Sequence, residues 1–456
     1  MGNPFPHFRY GAGVSWSRPE RRLQVRASFL TAILCLLVFL GACRPSVKEP
    51  VTLTFLDPEW SHDSRERDAS HEQALTAFTN ETGIRITHLP APENAGGQLD
   101  LATSLLRQSA ATPDVYGIDV VWPGILSEYL VDLKPYFAAE SQASDPELLA
   151  NYTVKGKLVA MPYHSNIGVL FFRTDLLQKY GYREPPRTWD ELEKMAARIQ
   201  AGERAGGQKD FWGFVWPGAA DEGLFCDAIE WQASAGGGHV VEADGQVNVN
   251  NPSTVRAWKR VEHWVGTISP PTTLSYEEWD STNAFWTSGR AAFERGWESD
   301  YFLGNPVAYA FNPQAGVTSV PGEKGVRVGT LGGLGLAVSR TSKHPAEAIA
   351  LVRFMLKKEA ELDQQRATST PPKYPVRFEI PTILTAYTRQ QETRGLQGAR
   401  VVVRPSTVTG DKYSAVSAAY VQLLHSVLER KTDAETALAS LQKQLSQIMS
   451  SAAPSP

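Results

Sequence analysis

MPYHSNIGVLFFRTDLLQKYGY, residues 161–182, sets four polar or aromatic side chains, Tyr163, His164, Ser165 and Asn166, directly before the apolar run Val169–Phe172, and a helix-forming segment follows at once. The apolar run has the length and composition of a buried strand. Thr174 is read as the N-cap of the helix and Gly181 as its C-cap. In α/β sheets ligands bind at strand ends, so a polar knob at such a place points to a site.

Outward from this stretch the same alternation recurs. Upstream, VTLTFL opens a strand near Val51, a helical pattern runs from about His71 to Thr79 and stops at Gly83, and Ile84 and Ile86 begin a second strand. Leu99–Gln108 repeats a helical spacing before the strand-like DVYGIDVVW, and LVAMPY and VLFF are read as further separate strands. Downstream, Thr188 and Glu191 form a capping-box pattern, and Trp189, Leu192, Met195, Ala196 and Ile199 fall on one helical face as core. GGLGLAV (332–338) reads as a glycine-opened strand, Pro345–Lys358 as a helix, and Tyr413–Ile448 as mostly helical. Strands alternating with helices predict an α/β fold.

The chain of 456 residues is too long for one core, so two or three domains are expected. Arg18, Arg21, Arg22 and Arg26 precede an apolar segment, Ser28–Leu40, that ends in Leu40-Gly41-Ala42-Cys43. This is the pattern of a signal peptide over 1–42 with a lipobox, which makes Cys43 the acylated residue. The apolar run is shorter than the roughly 20 residues a membrane-crossing helix needs. Removing 1–42 takes the formal charge from −4 to −8, and no basic run or aromatic-basic stripe remains, which argues against a nucleic-acid surface. Cys35 leaves with the signal and Cys43 is acylated, so Cys226 has no intramolecular disulfide partner.

Phosphate-loop and Gly-x-Ser-x-Gly patterns are absent, and the nine histidines are scattered without metal-ligand spacing, so neither a catalytic residue nor a metal or cofactor is assigned. A glycosidase carboxylate pair stays open, because sequence does not measure the separation of two acids. Eleven tryptophans follow residue 42. Most must be core, but Trp60, Trp122 and Trp297 stand after strand-like runs beside Glu59, Pro123 and Glu298. An aromatic face against a sugar ring, with carboxylates and amides taking hydroxyls, is the chemistry such residues offer. The core reading competes for each of them.

Several stretches in order, DVVWPG, GKLVAMPY, GVLFFRTDLLQKYGYREPPRTWDEL, IQAGER, FWGFVWPG, EGLFCDAIEW, SGRAAFERGW, TLGGLGLAVS and VVVRPSTVTGDKY, resemble the extracellular solute-binding proteins of ABC sugar importers, in their trehalose/maltose-binding branch. The resemblance covers roughly residues 50–445. It implies a two-lobed type II periplasmic-binding-protein fold with a hinge and an interlobe cleft. The implied organisation is a tether over 43–50, a first lobe from 51–163 and 327–369, a second from 164–326 and 370–449, and a disordered tail over 450–456. By motif matching it implies ligand contacts at Asp119, Trp122, His164, Asn166, Asp280, Trp297 and Arg404, with Glu59 and Trp60 on a first loop that aligns poorly. Close maltose and trehalose binders of this branch carry Tyr and Asp where this chain has His164 and Asn166, and aromatics where it has Ser299 and Leu334.

The function so implied is a lipid-anchored, exported monomer that binds a sugar-like solute and passes it to permease subunits driven by a separate ATPase, without chemistry of its own. An exported carbohydrate-active hydrolase, or a sensory or scaffold lipoprotein of the same fold, are the alternatives.

Overall fold

The computed structural model describes residues 50–57, 65–92, 95–144, 146–297, 315–368 and 400–451. The described residues from Val51 onward form one compact unit. Apart from a separate antiparallel pair of two-residue strands, Thr153–Val154 with Lys157–Leu158, its strands are β1 (Thr52–Leu56), β2 (Arg85–Leu89), β3 (Val115–Asp119), β4 (Met161–Arg173), β5 (Trp212–Val215), β6 (Ala291–Trp297), β7 (Ala315–Ser319), β8 (Val328–Val338) and β9 (Arg400–Val402). The larger helices are α1 (Arg65–Thr82), α2 (Ala95–Arg107), α3 (Trp189–Ala205), α4 (Glu222–Ser234), α5 (Pro252–Trp264), α6 (Pro345–Thr368), α7 (Tyr413–Leu428) and α8 (Ala434–Ser450). These elements give the expected α/β fold.

The strands form one mixed sheet in the order β2-β1-β3-β8-β4-β6-β5, with β9 beside β8 and β7 beside β4. β1 runs parallel to both β2 and β3, as strands joined through crossover helices do. The stretch 161–182 departs from expectation in two ways. LVAMPY and VLFF are not separate strands: the polar knob lies inside β4, a single strand of 13 residues. Thr174 is the first residue of the next helix and not its cap, since Arg173 occupies the cap position without a side-chain bond. Gly181 does take the left-handed conformation that ends this helix.

β4 is long because it serves two half-sheets. Ile167, Asn166, Ser165 and His164 pair with Leu331, Gly332, Gly333 and Leu334 of β8. From Gly168 to Phe172 the partner is β6, from Trp297 back to Phe293, while β7 lies on the other edge. β8 changes partner likewise: Val328–Thr330 pair with β9, and Leu334–Val338 with β3.

Tryptophan dominates the core around α3, α4 and α5. Trp189, Trp216, Trp231 and Trp264 are buried, with ring centroids 5.2 Å apart for Trp189–Trp264 and Trp216–Trp231 and 5.9 Å for Trp231–Trp264. Buried indoles need a partner for the ring N–H. Trp189 donates to Ser234 at 3.1 Å, Trp216 to Ser269 at 3.0 Å and Trp258 to Tyr420 at 3.1 Å. The capping box of α3 is present, with Glu191 N–H on the Thr188 hydroxyl at 3.2 Å and Thr188 N–H on the Glu191 carboxylate at 3.3 Å. Cys226 is buried with a free thiol. Among the described residues no helix is long and apolar enough to cross a membrane, and no group of acids, histidines and cysteines could hold a metal ion.

Candidate functional site

The polar centre of the molecule is assembled on Arg404, just after β9. Its side chain is buried, with 5% of its surface accessible. Nη1 donates to Glu222 Oε1 at 3.0 Å, and Nη2 approaches Asp119 Oδ1 at 3.4 Å. Glu222 opens α4, which Asp221 caps by accepting the N–H groups of Gly223 and Leu224. From α7, Tyr413 donates to Glu222 Oε1 and Ser417 to Oε2, the latter at 2.7 Å. A buried guanidinium is tolerated only when carboxylates answer its charge and donors answer theirs, and this cluster meets both demands.

Asp119 ends β3 and remains 36% accessible, like Glu222 at 35%, in contrast to the buried guanidinium that both face. Val121 N–H donates to its Oδ1 at 2.9 Å, which turns the carboxylate back over the strand end. Its pKa is raised: protein crowded round the carboxyl strips water from it, the largest effect, and Glu222 and Glu278 add repulsion, against the pull of Arg404 and the Val121 N–H. Burial, with Glu222 alongside, likewise pushes the Tyr413 phenol up.

The sheet register brings other residues to the same surface, because residues opposite one another on neighbouring strands share a face. Leu334 is opposite both Asp119 and His164, and Gly332 is opposite Asn166. His164 and Asn166 are half-buried; the His164 ring lies 6.0 Å from that of Tyr163, and Asn166 Oδ1 accepts the Ile167 N–H at 3.0 Å. Trp297, the last residue of β6, is opposite Gly168. Its half-buried ring lies across Gly332, where a Cβ would come within 2.9 Å of Cζ3. Position 332 must therefore be glycine for the ring to lie there.

The expected site residues thus separate. Asp119, His164, Asn166, Trp297 and Arg404 converge on one end and face of the sheet. Trp122 does not present a ring to it, being 3% exposed within the core at the start of the short helix Pro123–Leu126. Asp280 is exposed and accepts the N–H of Glu277 at 3.1 Å; the carboxylate that reaches Trp297 is Glu278, whose Oε1 accepts the indole N–H at 2.8 Å. Glu59, Trp60, Ser299 and Cys43 lie outside the described residues.

Glu222, Glu278, Tyr413 and Ser417 were missed from the sequence, as was a second buried ion pair beneath Trp297. There Arg295 Nε lies 2.7 Å from Asp227 and Nη2 lies 2.7 Å from Glu230, with all three side chains at or below 1% exposure. One signal was available: α4, EGLFCDAIEWQAS, is buried almost throughout yet carries Asp227 and Glu230 three positions apart. Two acids on the buried face of an apolar helix demand a cation from elsewhere in the fold.

Comparison with known proteins agrees with this architecture. A protein of Deinococcus radiodurans described as a probable ABC transporter-binding protein is 39% identical over 387 residues, 83% of this chain and 90% of that one. The structure of a maltose-bound protein of T. maritima superposes with a TM-score of 0.70 at 28% identity, covering 87% of this chain and all of that one. A solute-binding protein of Thermotoga lettingae bound to α-D-tagatose shares the fold at 18% identity and a TM-score of 0.71, over 88% of this chain and 100% of its own. The fold is therefore the two-lobed one of the periplasmic sugar-binding proteins, and the face bearing Arg404, Asp119 and Trp297 lies where the two half-sheets meet. The family model for bacterial extracellular solute-binding proteins matches residues 63–362, two thirds of the chain, and the protein belongs to that family.

Proposed function

We propose that this solute-binding protein is the lipid-anchored receptor of an ABC importer and captures a carbohydrate or related polyol between its lobes. It hands this ligand to a permease driven by a separate ATPase. The observation that carries the reading is the half-exposed Trp297 ring set over Gly332, beside the partly open carboxylate of Asp119 and the polar edge of β4. A flat apolar face flanked by hydrogen-bonding groups fits a sugar ring, whose C–H face is apolar and whose rim is hydroxylated. Asp119, His164, Asn166 and Arg404 are assigned to the rim and Trp297 to the face. The relatives support this class, since proteins sharing the fold hold maltose, α-D-tagatose, ribitol and D-mannitol.

The mechanism is lobe closure: a ligand that contacts both lobes at once binds the closed form better and shifts the population toward it. We assign the crossings between lobes to the vicinity of residues 163, 326 and 369. The changes of partner in β4 at Ile167/Gly168 and in β8 at Thr330/Leu331 support the first two. The third lies outside the described residues.

The test is a thermal-shift screen of the purified chain with maltose, D-tagatose, ribitol and D-mannitol, followed by calorimetry on Trp297→Ala. At least one of these ligands is expected to raise the melting temperature and to be recovered unchanged. Trp297→Ala is expected to weaken its binding about five- to a hundredfold, the loss of an aromatic contact worth about 1 to 3 kcal/mol. Consumption of the ligand, silence across the panel, or full affinity in the folded variant would each overturn the reading.

A further inference from the structure

Trp297 is held from three sides, although it ends its strand. Its ring lies across Gly332 of β8. Its indole N–H donates to Glu278 at 2.8 Å. One ring face is covered by the Arg295 guanidinium, whose Cζ lies 4.3 Å from the ring centroid. That guanidinium cannot swing away, because Asp227 and Glu230 grip it and Glu230 Oε1 also takes the Thr330 N–H of β8 at 2.8 Å. A cation over an indole face is attractive in itself, and more so where water is excluded.

We propose that Glu278 is a positioning residue of the cleft. By accepting the indole N–H while Arg295 backs one face, it locks the orientation of Trp297 before any ligand arrives. The inference rests on the stacking reading above and adds to it how the ring is preset. Rigid presentation raises affinity because the ordering of the ring is settled in the free protein. Glu278 acts through Trp297, so its contribution vanishes when the indole is gone.

Removing Arg295 would strand two buried carboxylates, so Glu278, which is exposed, is the handle for the test. The first measurement needs no ligand: hydrogen exchange of the Trp297 indole N–H in protein labelled with 15N-tryptophan, the resonance being assigned by its loss in Trp297→Phe. Exchange is expected to quicken at least about tenfold in Glu278→Ala and to be largely restored in Glu278→Gln, which keeps an oxygen acceptor. An unchanged rate in Glu278→Ala would overturn the proposal.

The second measurement is a double-mutant cycle on the strongest ligand of the four-compound panel. Glu278→Ala alone is expected to weaken binding about three- to tenfold and to have no further effect in the Trp297→Ala background. Additive losses would show that Glu278 acts by another route and would sink the proposal while leaving the stacking reading intact. Full affinity in Trp297→Ala would instead sink the stacking reading.

Discussion

Gly168→Ala is the sharpest probe of how the sheet carries the site. Gly168 sits in β4 at the residue where the strand changes partner, opposite Trp297. Its φ is not in the left-handed region, so alanine can adopt the backbone there. On propensity alone the change would stabilise the strand by about 0.5 to 1 kcal/mol. The surroundings reverse that sign. The new Cβ would lie 2.0 Å from Glu230 Oε1 and 2.5 Å from Arg295 Nη2, the two atoms that bond to each other at 2.7 Å.

Both side chains are enclosed, and Glu230 Oε1 is also held by the Thr330 N–H, so neither can step aside without breaking a bond. Overpacking costs about 1 to 3 kcal/mol, and a lost hydrogen bond between charged groups about 1.5 to 3 kcal/mol. Together these give roughly 2.5 to 6 kcal/mol of destabilisation. For cooperative unfolding of a body of roughly 400 residues, the unfolding entropy is about 0.8 kcal/mol/K, so the melting temperature should fall by about 3 to 7 °C. Calorimetry of the ligand-free variant measures this directly. A melting temperature equal to or above that of the parent protein would refute the argument, for it would mean that the ion pair under Trp297 yields freely.

Two further outcomes are expected. The pKa of His88 is lowered chiefly by burial and also by His71, against the pull of Glu72 and Asp57. The unfolded chain therefore takes up the proton first as pH falls. Its contribution to stability is complete above the ordinary value of 6.5 and is lost as pH drops through the lower folded value. Thermal melts between pH 7.5 and 5.5 should show that decline, flattened in His88→Gln, and an identical slope in the variant would reject this assignment. Cys43→Ser should move the protein from the membrane to the soluble fraction, since acyl chains alone would tether it; retention after a salt wash would exclude the anchor.

Several features were legible from the sequence because each depends on neighbours within a few positions. The alternation of strand and helix, the capping box at Thr188 and Glu191, the glycines at 83 and 181 where helices stop, and the burial of Trp189 all hold in the structure. Hydrogen bonding and burial repeat with a period of two in a strand and 3.6 in a helix, and that periodicity is written locally. The ordered segments that resemble sugar-importer receptors extended this to the family.

What only the tertiary structure decided is how charge is answered. Arg404 meets Asp119 across 285 positions and Arg295 meets Glu230 across 65, while Tyr413 and Ser417 reach Glu222 across 191 and 195. Sequence marked Asp280 and Trp122 as site residues; register and packing put Glu278 beside Trp297 and Trp122 in the core. A buried charge is stable only with its counter-charge, but nothing in the local chain states which distant strand end or helix will supply it. That choice is made when β4 spans both half-sheets and brings their faces into one surface.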